Sequence, residues 1–367
     1  MTASTASEVR LMKGNEALAE AALRAGMKAY FGYPITPQSE VLEYLTLHAR
    51  EHAGTVVLQA ESEIAAVHMV FGAAGAGARV MISSSSPGIS LMQEGFSYMA
   101  CSQLPALVVN VQRGGPGLGT IQPAQGDYHQ AVRGGGHGDY RLIVLAPSSV
   151  QELVDHVFLG FQLAERYRTP AMILADGALG QMMEKVTLPP AGSLPHAVPG
   201  WATTGKPKER ARNVIHSVFI EPERMERQNL LLQEKYRKIR EAEPRCEQLG
   251  MEDAEIALVA FGLSARICQK AMDLGREQGI RVGLLRPITL FPFPTLAVAR
   301  AAASAQAFLT VELNAGQMVE DVRLAVNGRR PVEFVGRMGG MVPSPDDVLA
   351  RIEEMAARLR YRSRAGT

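Results

Sequence analysis

Apolar strand-like runs and helical segments alternate along most of this chain, and this alternation constrains its fold more than any other feature. Between residues 10 and 185, continuous apolar runs such as LPALVVNVQR (104–113) and PAMILAD (170–176) are separated by segments of helical periodicity. Continuous apolar runs are typical of parallel strands that are buried on both faces. The pattern therefore predicts an α/β domain built on a parallel sheet that is covered by helices on both sides.

The individual segments can be assigned along the first domain. Helices are predicted at Asn15–Met27 and at Ile64–Ala76, and the second of these is made almost entirely of small residues. TVVLQ (55–59) is predicted to be an apolar strand, and residues 126–139 to belong to a long glycine-rich loop that forms a mobile cover over a ligand.

The alternation stops near residue 186 and restarts near residue 251. The intervening stretch begins Pro-rich, and its later part, 222–245, is charge-rich with helical periodicity. We interpret it as a connector with a solvated helix, and a role in clasping a partner subunit is the alternative. The predicted domains are thus 1–185, the connector 186–250 and a second α/β domain at 251–367, which suits a chain of 367 residues.

Composition excludes several classes of protein. The chain has 38 Lys and Arg against 37 Asp and Glu, which leaves no strong basic field for nucleic acid or for a membrane surface. No long apolar run and no signal-peptide pattern occurs, so a cytoplasmic location is expected. The three cysteines, Cys101, Cys246 and Cys268, contain no CxxC pair, so this chain is not expected to hold a four-thiolate iron–sulfur cluster.

Polar and glycine-rich stretches follow the predicted strands, where functional groups of parallel α/β domains usually lie. In Tyr33–Pro37, two prolines fix the backbone around Thr36, whose hydroxyl could donate to an anion. A turn with Thr36 as a helix cap is the alternative. Ser83–Gly88 suits a polar pocket wall.

Charged residues at strand ends provide the other candidates. Glu61 and Glu63 precede the small-residue helix, whose lack of bulk permits close packing against a planar ligand; favourable interaction with the helix dipole is the alternative. Arg113 ends an apolar strand and is predicted to be buried with a carboxylate partner, with a structural ion pair as the alternative. No metal-ligand spacing occurs, and neither a phosphate-binding P-loop nor a dinucleotide-binding turn is present.

The chain resembles the α subunits of 2-oxoacid:ferredoxin oxidoreductases over nearly all of residues 10–185. The likeness is carried by KGNEALAEAALRAGMKAYFGYPITPQSE, LQAESEIAAVHMVFGAAGAGARVMISSSSPGISLMQEG and VVNVQRGGPGLGTIQPAQGDY. Further along, LLRPITLFPFP, VELNAGQMVEDVR and GRMGGMVPSPDD are similar to the family's transketolase C-terminal-like domain. The strongest likeness is to the 3-methyl-2-oxobutanoate (2-ketoisovalerate) group.

The resemblance implies a fold and a shared cofactor site. The fold would be a thiamine diphosphate-binding parallel-sheet domain of the pyrimidine type, followed by a transketolase C-terminal-like α/β domain. A separate β subunit would hold the diphosphate and Mg²⁺ through a GDG…N motif that this sequence lacks. The family's catalytic glutamate, which contacts the pyrimidine ring, aligns with Glu63 rather than Glu61, and a desolvated carboxyl beside an apolar helix favours proton sharing.

The same resemblance assigns the other site residues. Thr36 and Arg113 would contact the substrate carboxylate, with Tyr33 and Ile35 beside them. The residues expected to contact the cofactor are Glu63, Pro34, Ser86, Pro87 and Gly88.

The implied reaction is coenzyme A-dependent oxidative decarboxylation of a 2-oxoacid. Electrons would pass to [4Fe–4S] clusters on a ferredoxin-like subunit and then to external ferredoxin, and a γ subunit would complete a dimer of heteromers. Branched-chain substrates are favoured, while pyruvate, 2-oxoglutarate and aryl 2-oxoacids stay open. Another thiamine diphosphate enzyme, of the transketolase or 2-oxoacid dehydrogenase type, and a non-catalytic assembly scaffold are the alternatives.

Overall fold

Fourteen strands in three sheets form the framework of the computed structural model, which describes residues 7–52 and 54–365. In chain order the strands are β1 (Glu8–Lys13), β2 (Ala29–Gly32), β3 (Val56–Gln59), β4 (Val80–Ser84), β5 (Leu107–Gln112), β6 (Ile143–Leu145), β7 (Ala171–Asp176), β8 (Met183–Leu188), β9 (Cys246–Leu249), β10 (Ile256–Val259), β11 (Val282–Pro287), β12 (Thr289–Phe291), β13 (Ala307–Glu312) and β14 (Val332–Gly336).

Helices connect these strands and cover the sheets. In chain order they are α1 (Gly14–Arg24), α2 (Ser39–His48), α3 (Glu63–Gly75), α4 (Ser86–Leu91), α5 (Gln93–Cys101), α6 (Tyr128–Arg133), α7 (Val150–Tyr167), α8 (Gly177–Gln181), α9 (Pro222–Ala242), α10 (Gly262–Glu277), α11 (Thr295–Ser304), α12 (Met318–Val326) and α13 (Pro345–Ala365). None of those in the described ranges is long and apolar enough to cross a membrane.

The largest sheet has seven strands in the order β12-β6-β7-β5-β4-β2-β3. All of its pairs are parallel except β12 with β6, so the predicted parallel sheet is confirmed. The central strands β5 and β7 are buried along their whole length, as their apolar sequences require. β3 lies at the edge and is not covered: Val56 and Leu58 are exposed, so the expectation of helices over the whole sheet is wrong there.

A second sheet, in the order β14-β13-β10-β11-β9, forms the C-terminal half together with α10 and α13. The small third sheet pairs β1 with β8. Neither β1 nor β12 was predicted, and β12 joins the C-terminal half to the first sheet. The division at residues 185 and 250 stays a prediction; β8 spans the first of these positions, and β9 lies in the predicted connector yet pairs with β11.

Two local expectations are wrong. Residues 126–139 contain α6 rather than one long loop, and Tyr128 on that helix is fully buried. The charged helix α9 is not simply solvated, because one of its faces packs on the chain's own core through Leu232, Tyr236 and Ile239.

Lys235 on α9 donates to the Arg168 carbonyl oxygen at 2.9 Å. Burial and the charge of Arg168 lower the pKa of Lys235 to about 8.

An ion pair between the buried Arg286 and the half-buried Glu152 links the two halves. The Arg286 guanidinium on β11 binds both carboxylate oxygens of Glu152 on α7, at 2.6 and 2.9 Å, and donates through Nε to Glu247 at 2.8 Å. Such a bidentate pair fixes both distance and orientation. The second half is thereby held against the first.

Candidate functional site

Three segments meet at the carboxyl edge of the first sheet because their strands are neighbours. β4 pairs with both β2 and β5, so the residues that follow these strands lie side by side. These residues are Tyr33–Pro37 after β2, Ser85–Gly88 after β4, and Arg113 after β5. The carboxyl edge of a parallel sheet is the usual place for a ligand, so these segments form the candidate site.

Glu63 is the acidic residue of this site. It is the first residue of α3, and Ser62 caps that helix by accepting a hydrogen bond from the Ala65 N–H at 3.2 Å. Only 7% of Glu63 is exposed, and within the described residues its carboxyl group makes no hydrogen bond and no ion pair. A buried carboxyl without a partner is costly, which favours a ligand that supplies one. Glu61, in contrast, is exposed.

Gly88 allows Glu63 to lie where it does. A Cβ atom at position 88 would come within 2.5 Å of Glu63 Oε1 and would also collide with the Ser84 hydroxyl. Glycine is therefore required for this close approach. The buried hydroxyls of Ser84 and Ser85 have no hydrogen-bond partner among the described residues.

Backbone contacts fix the Tyr33–Pro37 segment. The Pro37 carbonyl oxygen accepts hydrogen bonds from Asn15 Nδ2 at 2.8 Å and from Gln181 Nε2 at 3.2 Å. Thr36 is exposed and does not cap a helix, since α2 begins at Ser39 with Gln38 in the cap position. The alternative role of Thr36 as a cap is wrong, and its hydroxyl stays available.

Arg113 joins the segments, although it is half-buried rather than buried as predicted. Its Nη1 donates to the Thr36 carbonyl oxygen at 2.9 Å. Its backbone N–H donates to Ser86 Oγ at 3.1 Å, and that hydroxyl donates to the Arg113 carbonyl oxygen at 3.3 Å. No carboxylate pairs with this guanidinium in the described part of the chain, and its Nε is buried without a partner. The alternative of a structural ion pair is wrong, and an anion would satisfy the free donor.

The remaining predicted residues lie around the same edge. Pro34 and Tyr33 are exposed, whereas Ile35, Ser86 and Pro87 are half-buried. The second half of the chain also reaches this place: the backbone of Gly339 and Gly340 packs so closely on Gly114 that a Cβ atom there would lie 2.7 Å from the Gly339 carbonyl carbon.

The sequence does not predict the contacts that two supporting residues make. The Asp127 carboxylate accepts from Asn110 Nδ2 at 2.8 Å. Burial raises the pKa of Asp127, and the nearby polar groups of Ser86 and Asn110 partly oppose that shift. Ser83, which lies under the Tyr33–Pro37 segment, donates to Gln38 Oε1 at 2.6 Å and contacts the Tyr30 hydroxyl at 2.7 Å. Ser83 belongs to the serine-rich stretch and Asp127 to the glycine-rich stretch described above, but their contacts join distant segments, so no local pattern predicts them.

A parallel sheet that presents a buried, unpaired carboxyl beside a glycine at its strand ends is compatible with the class of thiamine diphosphate-binding domains that the sequence resemblance implies. The fit rests on the geometry of this chain: Glu63 lacks a partner, Gly88 leaves room beside it, and the hydroxyls of Ser84 and Ser85 are free. These groups suit a flat, polar heterocycle.

The chain belongs to the 2-oxoacid:ferredoxin oxidoreductase family. Residues 20–251 match the family described as "Pyruvate flavodoxin/ferredoxin oxidoreductase, thiamine diP-bdg", and residues 254–348 match "Pyruvate:ferredoxin oxidoreductase core domain II". The resemblance drawn from the sequence and the predicted fold class are therefore confirmed.

Three relatives place the chain more finely. It is 49% identical to the ketoisovalerate oxidoreductase subunit VorB of Methanothermobacter thermautotrophicus, over 95% of this chain and 98% of that protein. It is 36% identical to the 2-oxoglutarate synthase subunit KorA of the same organism, over 95% of this chain and 99% of that protein. A solved 2-oxoglutarate:ferredoxin oxidoreductase from Magnetococcus marinus, with 2-oxoglutarate, coenzyme A and succinyl-CoA bound, matches with a TM-score of 0.82 and 26% identity, over 95% of this chain and 65% of that one. The protein is thus an oxidoreductase subunit that works with partner subunits.

Proposed function

We propose that this chain is the subunit of a ketoisovalerate-type oxidoreductase that receives the pyrimidine ring of thiamine diphosphate and the 2-oxoacid carboxylate. The observation that carries the proposal is the buried, unpaired carboxyl of Glu63 beside Gly88. Its complex would perform coenzyme A-dependent oxidative decarboxylation of a branched-chain 2-oxoacid. The identity to a ketoisovalerate oxidoreductase subunit over almost the whole chain supports this substrate class.

Glu63 is the catalytic residue of this proposal. Thiamine diphosphate, when bound, supplies the nucleophile and the electron sink of the reaction. Glu63 would share a proton with a pyrimidine ring nitrogen, because its carboxyl has no competing partner and lies in a largely buried position. A hydrogen bond to such a carboxyl is strong where water is excluded. Pro34, Pro87 and Gly88 would form the wall against the ring.

We propose that Ser86 supports Arg113. Its hydroxyl accepts from the Arg113 backbone N–H at 3.1 Å and donates to the Arg113 carbonyl oxygen at 3.3 Å. We therefore assign Ser86 to the wall of the site, where it holds Arg113 in place, rather than to a direct bond with the cofactor.

Arg113 and Thr36 would hold the substrate carboxylate. The Arg113 guanidinium is fixed at one end by the Thr36 carbonyl oxygen, and its buried Nε donor is free. A carboxylate matches the planar donors of a guanidinium and would also accept from the Thr36 hydroxyl. Tyr33 and Ile35 would border the substrate on the same segment.

A partner subunit would close the site from the side of β3 and α3. Four apolar side chains are exposed on these two elements, namely Val56, Leu58, Ile64 and Met69, and Ile64 directly follows Glu63. Exposed apolar surface beside a functional group is typical of a protein–protein contact. We propose that this partner is the β subunit that holds the diphosphate and Mg²⁺.

The electron carriers would also belong to partners. Cys101, Cys246 and Cys268 are free, and Cys268 is fully buried. We propose that [4Fe–4S] clusters reside on a ferredoxin-like subunit and pass electrons to external ferredoxin, and that a γ subunit completes a dimer of heteromers.

A pair of matched substitutions tests this function in the purified complex. Glu63→Gln keeps the size of the side chain but removes its charge, while Glu61→Gln makes the same change at an exposed position two residues away. Viologen reduction would be followed with 3-methyl-2-oxobutanoate, 2-oxoglutarate, pyruvate and an aryl 2-oxoacid. Loss of a positioned acid–base group lowers kcat by about 100-fold or more, so Glu63→Gln should do so and Glu61→Gln should not.

Subunit association and cofactor content separate the outcomes. If Glu63→Gln lowers turnover while the subunits still copurify, the proposed role is supported. Equal activity of the two variants would exclude Glu63 as the catalytic residue. A complex without viologen reduction for any 2-oxoacid would overturn the function itself, and a preference for 2-oxoglutarate would overturn only the branched-chain assignment.

A further inference from the structure

A large cleft lies at the β12 edge of the first sheet. Its volume is about 750 Å³, and it is bordered by α6, the end of α9, and the turn between β12 and α11. No residue of the strand-end site lines it. This volume falls within the usual range of small-molecule sites. Four arginines lie along its walls: Arg133, Arg141, Arg240 and Arg300.

Three of these guanidinium groups, those of Arg141, Arg240 and Arg300, have no ion-pair partner among the described residues, whereas Arg133 pairs with Asp321. Arg141 Nη1 donates hydrogen bonds to the carbonyl oxygens of Arg133 and Tyr140, at 2.9 and 2.8 Å. Arg240 lies over the Phe291 ring, with its central carbon 5.5 Å from the ring centroid. Within the described ranges, Arg240 and Arg300 make no hydrogen bond and no ion pair.

The acidic residues that line the cleft are already engaged. Asp321 accepts from the Tyr128 hydroxyl at 2.6 Å and from Arg133 at 2.9 Å. Glu241 accepts from Arg237 at 2.6 Å, and Arg237 is not among the lining residues. The cleft therefore keeps an excess of positive charge.

The charges also act on one another. Burial lowers the pKa of Arg141, and the neighbouring charges of Arg240 and Arg133 lower it further. Arg141 is half-buried, whereas Arg133, Arg240 and Arg300 are exposed, so solvent screens part of this repulsion. An anion in the cleft would offset the repulsion that remains.

We propose that the cleft formed by Arg133, Arg141, Arg240 and Arg300 is a binding site for a multiply charged phosphate anion. More than one negative charge is needed to balance the uncommitted guanidinium groups, and planar guanidinium groups match phosphate oxygens in pairs. Phe293, half-buried on the same wall, offers an apolar surface beside the charged one. The ligand is therefore either inorganic polyphosphate or the phosphates of a nucleotide.

Calorimetric titration of the full-length chain with pyrophosphate tests the site. Arg240→Gln with Arg300→Gln removes two uncommitted charges, and Arg224→Gln is the matched control, because Arg224 lies on the same helix α9 but outside the cleft. Two lost charge-assisted contacts weaken binding by about tenfold or more. Glu241→Gln removes a negative charge from the rim and should strengthen binding.

The outcomes are distinct and do not depend on the strand-end site. Saturable pyrophosphate binding that weakens in the double variant, persists in Arg224→Gln and tightens in Glu241→Gln supports the proposal. Absence of saturable binding, or equal affinity of the double variant and the wild-type chain, overturns it. A parallel titration with ADP identifies the source: tighter binding than pyrophosphate indicates a nucleotide, and equal binding indicates polyphosphate. Thermal unfolding of each variant verifies that it is folded.

Discussion

Gly88→Ala probes the geometry of the site without touching a charged residue. The added Cβ atom would lie 2.5 Å from Glu63 Oε1 and 2.9 Å from Glu63 Cδ. Ordinary van der Waals contact begins at 3.4 Å, so the carboxyl oxygen has to retreat by about 0.9 Å. The substitution therefore displaces Glu63 while leaving its chemistry intact.

We expect Gly88→Ala to lower the catalytic rate strongly and the stability only slightly. A displacement of about 1 Å in a positioned catalytic group lowers the rate by roughly 100-fold. Overpacking in a core costs about 1–3 kcal/mol of stability. Here the lower end of that range applies, because the colliding atoms are the ends of the Glu63 and Ser84 side chains, which can turn away.

The assay measures both quantities on the same variant. Turnover of the purified complex is followed by viologen reduction with 3-methyl-2-oxobutanoate, and stability by urea unfolding of the chain. Gly126→Ala is the control, since no heavy atom lies within 4 Å of a Cβ atom there. It should change the free energy of unfolding by less than about 0.5 kcal/mol.

A double variant decides whether the effect passes through Glu63. If Gly88 matters only because it positions this carboxyl, Gly88→Ala should cost nothing further in a Glu63→Gln background. Turnover of Gly88→Ala within about threefold of the wild-type complex would refute the reasoning, and so would full additivity of the two substitutions.

Three further predictions concern charge. Arg113→Ala should raise the KM for the 2-oxoacid by about tenfold or more, because one charge-assisted contact contributes about 1.5–3 kcal/mol; an unchanged KM in steady-state assays would mean that Arg113 is structural. Burial raises the pKa of Asp176 to about 6 from 3.8, so its contribution to stability is present below pH 3.8 and lost as the pH rises through about 6. Asp176→Asn should therefore lose less stability than the wild-type chain between pH 4 and pH 7 in urea unfolding, and an equal loss would contradict this. Arg286→Gln should cost about 3 kcal/mol of unfolding free energy by leaving Glu152 unpaired, and Glu152→Gln with Arg286→Gln should cost less.

Much of the fold could be predicted because it rests on local patterns. β5 and β7 are continuous apolar runs, and they became fully buried central strands. β1 could not be predicted because it is mostly exposed and lacks an apolar run, and β12 because it has only three residues; each pairs with a strand far away in the sequence. Glycines around α6 favour a loop in the sequence, but the burial of Tyr128 stabilises a helix there.

The candidate site shows the same division. Strand ends and proline or glycine turns pointed to Thr36, Glu63 and Arg113, because parallel strands bring their carboxyl ends together. That Arg113 is half-buried and bonded to the Thr36 carbonyl oxygen depends on how two loops meet, which no local pattern records. The roles of these residues in catalysis stay predictions until the substitutions are made.

The sequence by itself determined the parallel sheet and the family, and it supplied the candidate residues of the site. These follow from periodicity and motifs, which are properties of neighbouring residues. Only the tertiary structure decided that Glu63 is buried without a partner beside Gly88. It also decided that the Ser86 hydroxyl bonds to the backbone of Arg113, and that arginines from separate elements line one cleft. Burial and charge balance depend on distances between remote segments, and those distances exist only once the chain has folded.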